Sequence, residues 1–207
     1  VYVQRDSRPS GLVRVGRQRR RRVRDEMGSV GIIPNPASGH DIRRLVAKGA
    51  VFSNSEKVNI VQRLLLGLAA TGVEDVYLMH DYFGIGRRAL FALDCADRLP
   101  ANISWLTMEI EGTQEDSMRA AQLMEELGVG CIVTVGGDGT NRVVAKGCRS
   151  VPLLPISTGT NNVFPWMVEA TTAGIAAGLV AQGLVDSAGC VSRTKKLEIL
   201  RDGEVID

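Results

Sequence analysis

Three observations predict an α/β protein built on a parallel sheet with helices on both faces. Short apolar runs alternate with longer stretches of helical periodicity. Most of the runs are apolar at nearly every position, as strands covered on both faces require. Gly, Pro, Asn and Ser punctuate the junctions. Connections between such strands are right-handed. The chain has 207 residues, 44% hydrophobic and 23% charged, which suits a soluble globular protein of one domain or one domain with the start of a second. No apolar run approaches the ~20 residues of a membrane span.

The elements follow in order. SVGIIPNP, Ser29–Pro36, is an apolar run ended by prolines, hence a strand and a turn. The stretch Ser53–Gly72 opens with Ser53 and Glu56 at capping-box spacing. Val58, Val61, Leu65 and Leu68 then mark one helical face, and Gly72 ends the helix. Glu74–Asp81 reads as the second strand, Gly86–Pro100 as the second helix and Asn102–Ile110 as the third strand. The third helix runs to Gly128 from Thr113 as N-cap, with acids in its first turn where the helix dipole favours them. Cys131–Gly136 is the fourth strand, Asn141–Cys148 a short helix, Val151–Ser157 the fifth strand, and about Val163–Gly183 a longer helix. The centre of the sheet is expected at Val30–Ile33, Cys131–Val135 and Leu153–Ile156. Thr194–Asp207 alternates polar and apolar residues around Asp202-Gly203, a β-hairpin signal.

Three regions are expected: a disordered Arg-rich extension over 1–27, an α/β nucleotide-binding domain over 28–186, and the truncated start of a β-rich second domain over 187–207. Charge separates the first from the rest. Residues 1–26 hold nine arginines against Asp6, Asp25 and Glu26, so they carry +6 of an overall +2 and leave −4 for the remainder. So charge-dense and apolar-poor a segment cannot bury enough surface to fold. The acidic body, and the lack of aromatic residues interleaved with basic ones, argue against nucleic-acid binding. The cysteines, Cys95, Cys131, Cys148 and Cys190, lie far apart and form no C-x-x-C pair. They read as buried hydrophobes of a reducing cytoplasm, and with two histidines they give no zinc pattern. Trp105 and Trp166 adjoin apolar segments and read as packing residues. Of the histidines, His40 adjoins the first candidate loop and His80 ends a strand.

In an open parallel sheet, ligands bind beyond the carboxyl ends of the strands. Three such ends carry loops rich in Gly, Ser, Thr and Asn: NPASG, Asn35–Gly39; GGDGT, Gly136–Thr140; and STGTNN, Ser157–Asn162. That composition suits backbone N–H groups turned to an anion, helped by a helix N-terminus. Asp138 admits three roles. It is a turn-forming residue, a carboxylate that holds Mg²⁺ against phosphate oxygens, or a proton acceptor for an attacking hydroxyl. Phosphoryl transfer needs mainly positioning and charge neutralisation. A loop with one carboxylate and the hydroxyl of Thr140 meets that need. The spacing fits neither a Walker loop nor a G-x-G-x-x-G fingerprint.

GGDGT after a strand, with NPASG upstream and PISTGTNNVFP (Pro155–Pro165) downstream, resembles the superfamily of NAD kinases and diacylglycerol- or sphingosine-type lipid kinases. The run from Gly28 to Asp207 is most like the ATP-NAD kinase-like group that includes acetoin catabolism protein X. The resemblance implies a three-layer Rossmann-like domain and an ATP- and Mg²⁺-dependent cytoplasmic kinase. Such a kinase passes the γ-phosphate to a hydroxyl of NAD or another small acceptor, as a homo-oligomer without a membrane or nucleic-acid partner. It implies that Gly136, Gly137, Gly139 and Thr140 cradle the ATP phosphates and that Asp138 is the catalytic or Mg²⁺-associated carboxylate. Asn35, Ser38 and Gly39, with Thr158, Gly159 and Thr160, would lie at the nucleotide phosphates, and Asn161 and Asn162 at the substrate. NAD kinases carry Asn-Glu or Asn-Asp at the dinucleotide ribose. Asn161-Asn162 carries no carboxylate, which leaves the acceptor open and keeps a non-catalytic nucleotide-binding or regulatory protein as the alternative.

Overall fold

The computed structural model describes residues 28–39, 52–93, 99–195, 199–202 and 204–205. The Arg-rich stretch, His40 and Cys95 lie outside the described residues. Five parallel strands form the sheet: β1 (Val30–Pro34), β2 (Asp75–Leu78), β3 (Asn102–Trp105), β4 (Cys131–Gly136) and β5 (Leu153–Ser157). Their order is β3-β2-β1-β4-β5. The chain leaves β1 towards β2 and β3, then returns to the other side of β1 as β4. The strand order therefore reverses between β1 and β4, which makes the gap above them the switch point where α/β sheets take ligands.

Alternation along the strands builds two cores. Val30, Ile32, Cys131, Val133 and Val135 face one side. There they meet α1 (Asn54–Ala70), α2 (Ile85–Leu93) and α5 (Ala170–Ala181). Ile33 and Ile132 face the other side, against α3 (Gln114–Glu126) and α4 (Asp138–Gly147). The fold class expected from the alternation is thus the one observed. Ser53 caps α1 by accepting the Glu56 N–H, and Thr113 with Asp116 forms a reciprocal capping box on α3. A four-residue helix, α6 (Ser187–Cys190), follows α5, and β6 (Leu200–Arg201) pairs antiparallel with β7 (Glu204–Val205). Among the described residues no helix is long and apolar enough to cross a membrane.

Several boundaries differ from expectation. β5 is an edge strand and not central; it carries Pro155, which donates nothing to a ladder and is tolerated at an edge. β3 ends at Trp105 because β2 offers only four partners. α4 begins at Asp138, so the last three residues of GGDGT form its first turn and Gly137 is its N-cap. α5 begins at Ala170, well after Val163. Pro165 disfavours helix at the residue before it, and Glu169 supplies the N-cap by accepting the Thr172 N–H. The N–H groups of Thr171 and Thr172 hold the Glu169 carboxyl down at about 2. Trp166 is not a packing residue: its backbone bridges β5, while the residue is 73% exposed. Cys131 and Cys148 are buried, but Cys190 is exposed. Burial pushes the Cys131 thiol up to about 12.

Candidate active site

The three polar loops meet at the switch point and are joined by side chains. The first is tied to the second, because Asn35 Nδ2 donates to Thr140 Oγ1 at 2.8 Å. It is tied to the third by Thr158 Oγ1, which donates to Ser38 Oγ at 2.9 Å. Asn35 also accepts the Ala37 N–H through Oδ1 at 2.9 Å, which closes the turn. Gly39 has φ +81°, in the left-handed region, and a Cβ there would meet Phe52 Cβ and the Thr158 carbonyl at 3.0 Å.

The glycines of GGDGT serve different ends. A Cβ on Gly136 would overlap the Thr140 side chain, and one on Gly137 would meet Asn162 Oδ1 at 2.9 Å. Both permit close packing of the turn. Nothing stands within 4 Å of where a Cβ of Gly139 would be, so that side of the α4 first turn is open to a ligand. The N–H groups of this turn precede any intrahelical acceptor and sit at the positive end of the helix dipole. Asn141 braces the turn from below. Its Nδ2 donates to the Gly137 carbonyl at 2.9 Å, and its Oδ1 accepts from the buried Thr134 hydroxyl at 2.7 Å.

Asp138 spans the second and third loops. Its Oδ1 accepts the Phe164 N–H at 2.8 Å, and both oxygens lie within 3.1 Å of the Val163 nitrogen. The carboxylate therefore orders the segment after STGTNN. Asn162 is committed to the same junction: Nδ2 donates to Ser157 Oγ at 2.7 Å and, at 3.3 Å, to the Gly159 carbonyl, while Oδ1 is 3.4 Å from the Asp138 nitrogen. Thr158 and Gly159 are buried beneath this junction. Thr160 and Asn161 are exposed and bond to each other at 3.2 Å. Val163 is 91% exposed, and Phe164, Met167 and Val168 are also exposed, so an apolar rim borders the polar floor.

Beside the first loop lies a crevice of about 110 Å³, lined by Asn35, Pro36, Ala37, His80, Asp81 and Thr113, among others. Burial raises the pKa of Asp81, against the N–H groups of Ile85 and Phe83 that favour its charged form. His80 is exposed and stacks on Trp105 with ring centroids 4.4 Å apart. Below the loop lies Lys57, a fully buried cation whose Nζ contacts four oxygens at 2.6 to 2.9 Å. Burial lowers its pKa to about 8, partly opposed by the charge of Asp81. Sequence reasoning missed Lys57, although a signal was present: it shares a helical stripe with Val61, Leu64 and Leu68, where a charge breaks the apolar pattern.

The loop ties can be measured. In a double-mutant cycle of Asn35→Ala and Thr140→Val, urea unfolding is expected to give a coupling of about 1 kcal/mol. Strictly additive effects would mean that this bond does not join the two loops.

Acetoin catabolism protein X of Cupriavidus necator is 43% identical over 181 residues; the match covers 84% of this chain and 50% of that protein, so the chain spans about half its length. No solved structure matches the chain. The family described as ATP-NAD kinase N-terminal domain matches residues 30–184, which include all five strands and all three loops. The chain belongs to the ATP-NAD kinase N-terminal domain family.

Proposed function

We propose that the three loops bind the phosphates of Mg–ATP, and that this domain serves a phosphotransferase passing the γ-phosphate to a hydroxyl of NAD or another small acceptor. One observation carries the reading. Three Gly-, Ser-, Thr- and Asn-rich loops are hydrogen-bonded into a single polar floor at the switch point, with the open first turn of α4 between them. Family membership supports it. Asn35, Ser38, Gly39, Gly136, Gly137, Gly139, Thr140, Thr158, Gly159 and Thr160 would surround the phosphates. Asn161 and Asn162 would lie towards the acceptor.

The residues present suit a metal that arrives with its nucleotide. Among the described residues no group of three His, Cys, Asp or Glu side chains could hold a metal. Mg²⁺ is commonly held by one or two carboxylates together with substrate phosphates, and Asp138 supplies one carboxylate at the floor. When bound, the ion would neutralise charge on the phosphate oxygens. The protein's own part is to orient the chain of phosphates along backbone N–H groups and to set Asp138 near the acceptor hydroxyl as a charge or proton acceptor.

A second reading is favoured by two features of the site. The Asp138 carboxylate is already engaged by Val163 and Phe164, and the Asn161-Asn162 pair carries no carboxylate. Under it, the protein is a catalytically inactive nucleotide-binding regulator associated with acetoin catabolism. Calorimetry with Mg–ATP, followed by an assay of phosphate transfer to NAD and to simpler hydroxyl acceptors, separates the two. Binding with transfer supports the kinase, and binding without transfer to any acceptor supports the regulator. No binding of Mg–ATP removes both.

A further inference from the structure

We propose that Lys57 is a positioning residue, an internal cation that holds the Asn35–Gly39 turn in the form that meets phosphate; the proposal rests on the phosphate-binding reading of that loop. Lys57 lies on α1, fully buried. Its Nζ donates to the backbone carbonyls of Asn35 and Pro36 at 2.9 Å and of Ser38 at 2.6 Å, and to Asn54 Oδ1 at 2.8 Å. An ammonium has three hydrogens, so four acceptors share them and none is left for water. A lysine is almost never fully buried unless its charge is matched. Here the match comes mainly from the carbonyls of one turn, with Asp81 the nearby carboxylate that acts on it through space.

The geometry has a directional consequence. The chain contains no cis peptide among its described bonds, and in a trans peptide the N–H points opposite to the preceding carbonyl. With the carbonyls of Pro36 and Ser38 drawn down to Lys57, the N–H groups of Ala37 and Gly39 point away from it. The Ala37 N–H meets Asn35 Oδ1, and the same amide group reaches across to Thr140. The Ala37 N–H thus fixes the Asn35 side chain that makes the bond to GGDGT. One cation below thus gathers three carbonyls of the turn around Nζ and turns the Ala37 and Gly39 N–H groups away from it. It also places a positive charge beneath a seat for anions.

The test uses the full chain with Lys57→Met, which keeps the length and apolar stem and removes the donors. Mg–ATP affinity is read by calorimetry, and amide hydrogen exchange is read at Ala37, Ser38 and Gly39. The expected result is at least ~10-fold weaker Mg–ATP binding, with faster exchange at these three amides and unchanged exchange at Gly136–Thr140. A core control, Leu64→Ala, truncates the buried face of α1 without touching the turn. It should lower thermal stability yet leave affinity within about twofold, so that lost stability alone does not mimic the effect. An unchanged Mg–ATP affinity in Lys57→Met overturns the proposal, whatever the exchange shows. If the wild type binds no Mg–ATP, the phosphate reading falls separately, and unchanged exchange at Ala37–Gly39 then overturns the hold of Lys57 on the turn. Should the Met variant not fold, Lys57→Gln, which retains one donor group, is judged by the same criteria.

Discussion

Replacing Asp138 with alanine is expected to lower Mg–ATP-dependent phosphate transfer by at least ~100-fold, the scale seen when a preorganised transition-state group is removed. The structure makes the alanine variant alone ambiguous. Asp138 also anchors the third loop through the N–H groups of Val163 and Phe164, so alanine removes a charge and an anchor together. Asp138→Asn separates them. Asparagine keeps an Oδ1 that can accept the Phe164 N–H, but it cannot accept a proton or neutralise a metal ion. If the carboxylate acts on the reacting groups, both variants lose transfer to a similar extent. Hydrogen exchange at Val163 and Phe164 then accelerates strongly only in the alanine variant. If Asp138→Asn transfers phosphate at the wild-type rate, the carboxylate is a loop anchor and its chemical role is wrong.

The competition at Asp138 is a general feature of this site. Side chains that suit phosphate or substrate also hold the loops together: Asn35 to Thr140, Ser38 to Thr158, and Asn162 to Ser157 and Gly159. A ligand arriving here meets a floor whose shape is already determined. That lowers the ordering cost of binding, and it means that variants at these positions alter shape as well as contacts.

The order of strands and helices could be read from the sequence because it rests on local patterns. Val30–Ile33 and Ile132–Val135 are apolar at nearly every position, and Thr113 with Asp116 forms a capping box in place. The positions of the three loops followed, since each lies just beyond an apolar run. What local pattern does not contain is pairing. Leu153–Ile156 looks as apolar as a central strand, yet β5 lies at the edge, where the backbone of Trp166 bridges it. The helix expected from about Val163 likewise begins only at Ala170. The backbone of Trp166 is bridged to Ile156 on β5 instead, a pairing that local pattern does not contain, and Glu169 then caps α5. The role of Lys57 was hidden for the same reason, since its three carbonyl acceptors lie 19 to 22 residues before it along the chain.

Gly67 on α1 and Gly174 on α5 let the two helices touch backbone to backbone. A Cβ on Gly67 would overlap the Thr171 carbonyl, and one on Gly174 would stand 2.5 Å from the Leu64 carbonyl. Neither neighbour is a side chain that can turn aside. Gly67→Ala and Gly174→Ala are each expected to destabilise by about 2–3 kcal/mol, because overpacking must move a helix. For a domain of this size that lowers Tm by roughly 4–12 °C. The double variant should cost less than the sum, since one separation of the helices accommodates both methyls. Scanning calorimetry reads all three, and a loss below ~0.5 kcal/mol in both single variants would show that the helices are not in contact here. Gly139→Ala makes the contrasting case. Its Cβ meets nothing and replaces glycine inside a helix, so stability should hold or rise by about 0.5–1 kcal/mol. The added methyl nevertheless stands where the first turn of α4 is open to phosphate, and Mg–ATP affinity should fall. Helix α1 carries Lys57 and the segment 163–169 leads from the third loop into α5, so Gly67→Ala should also loosen Ser38 from Thr158. Stability and affinity would fall together in Gly67→Ala and move in opposite directions in Gly139→Ala. That divergence distinguishes a glycine that builds the fold from one that leaves room for a ligand.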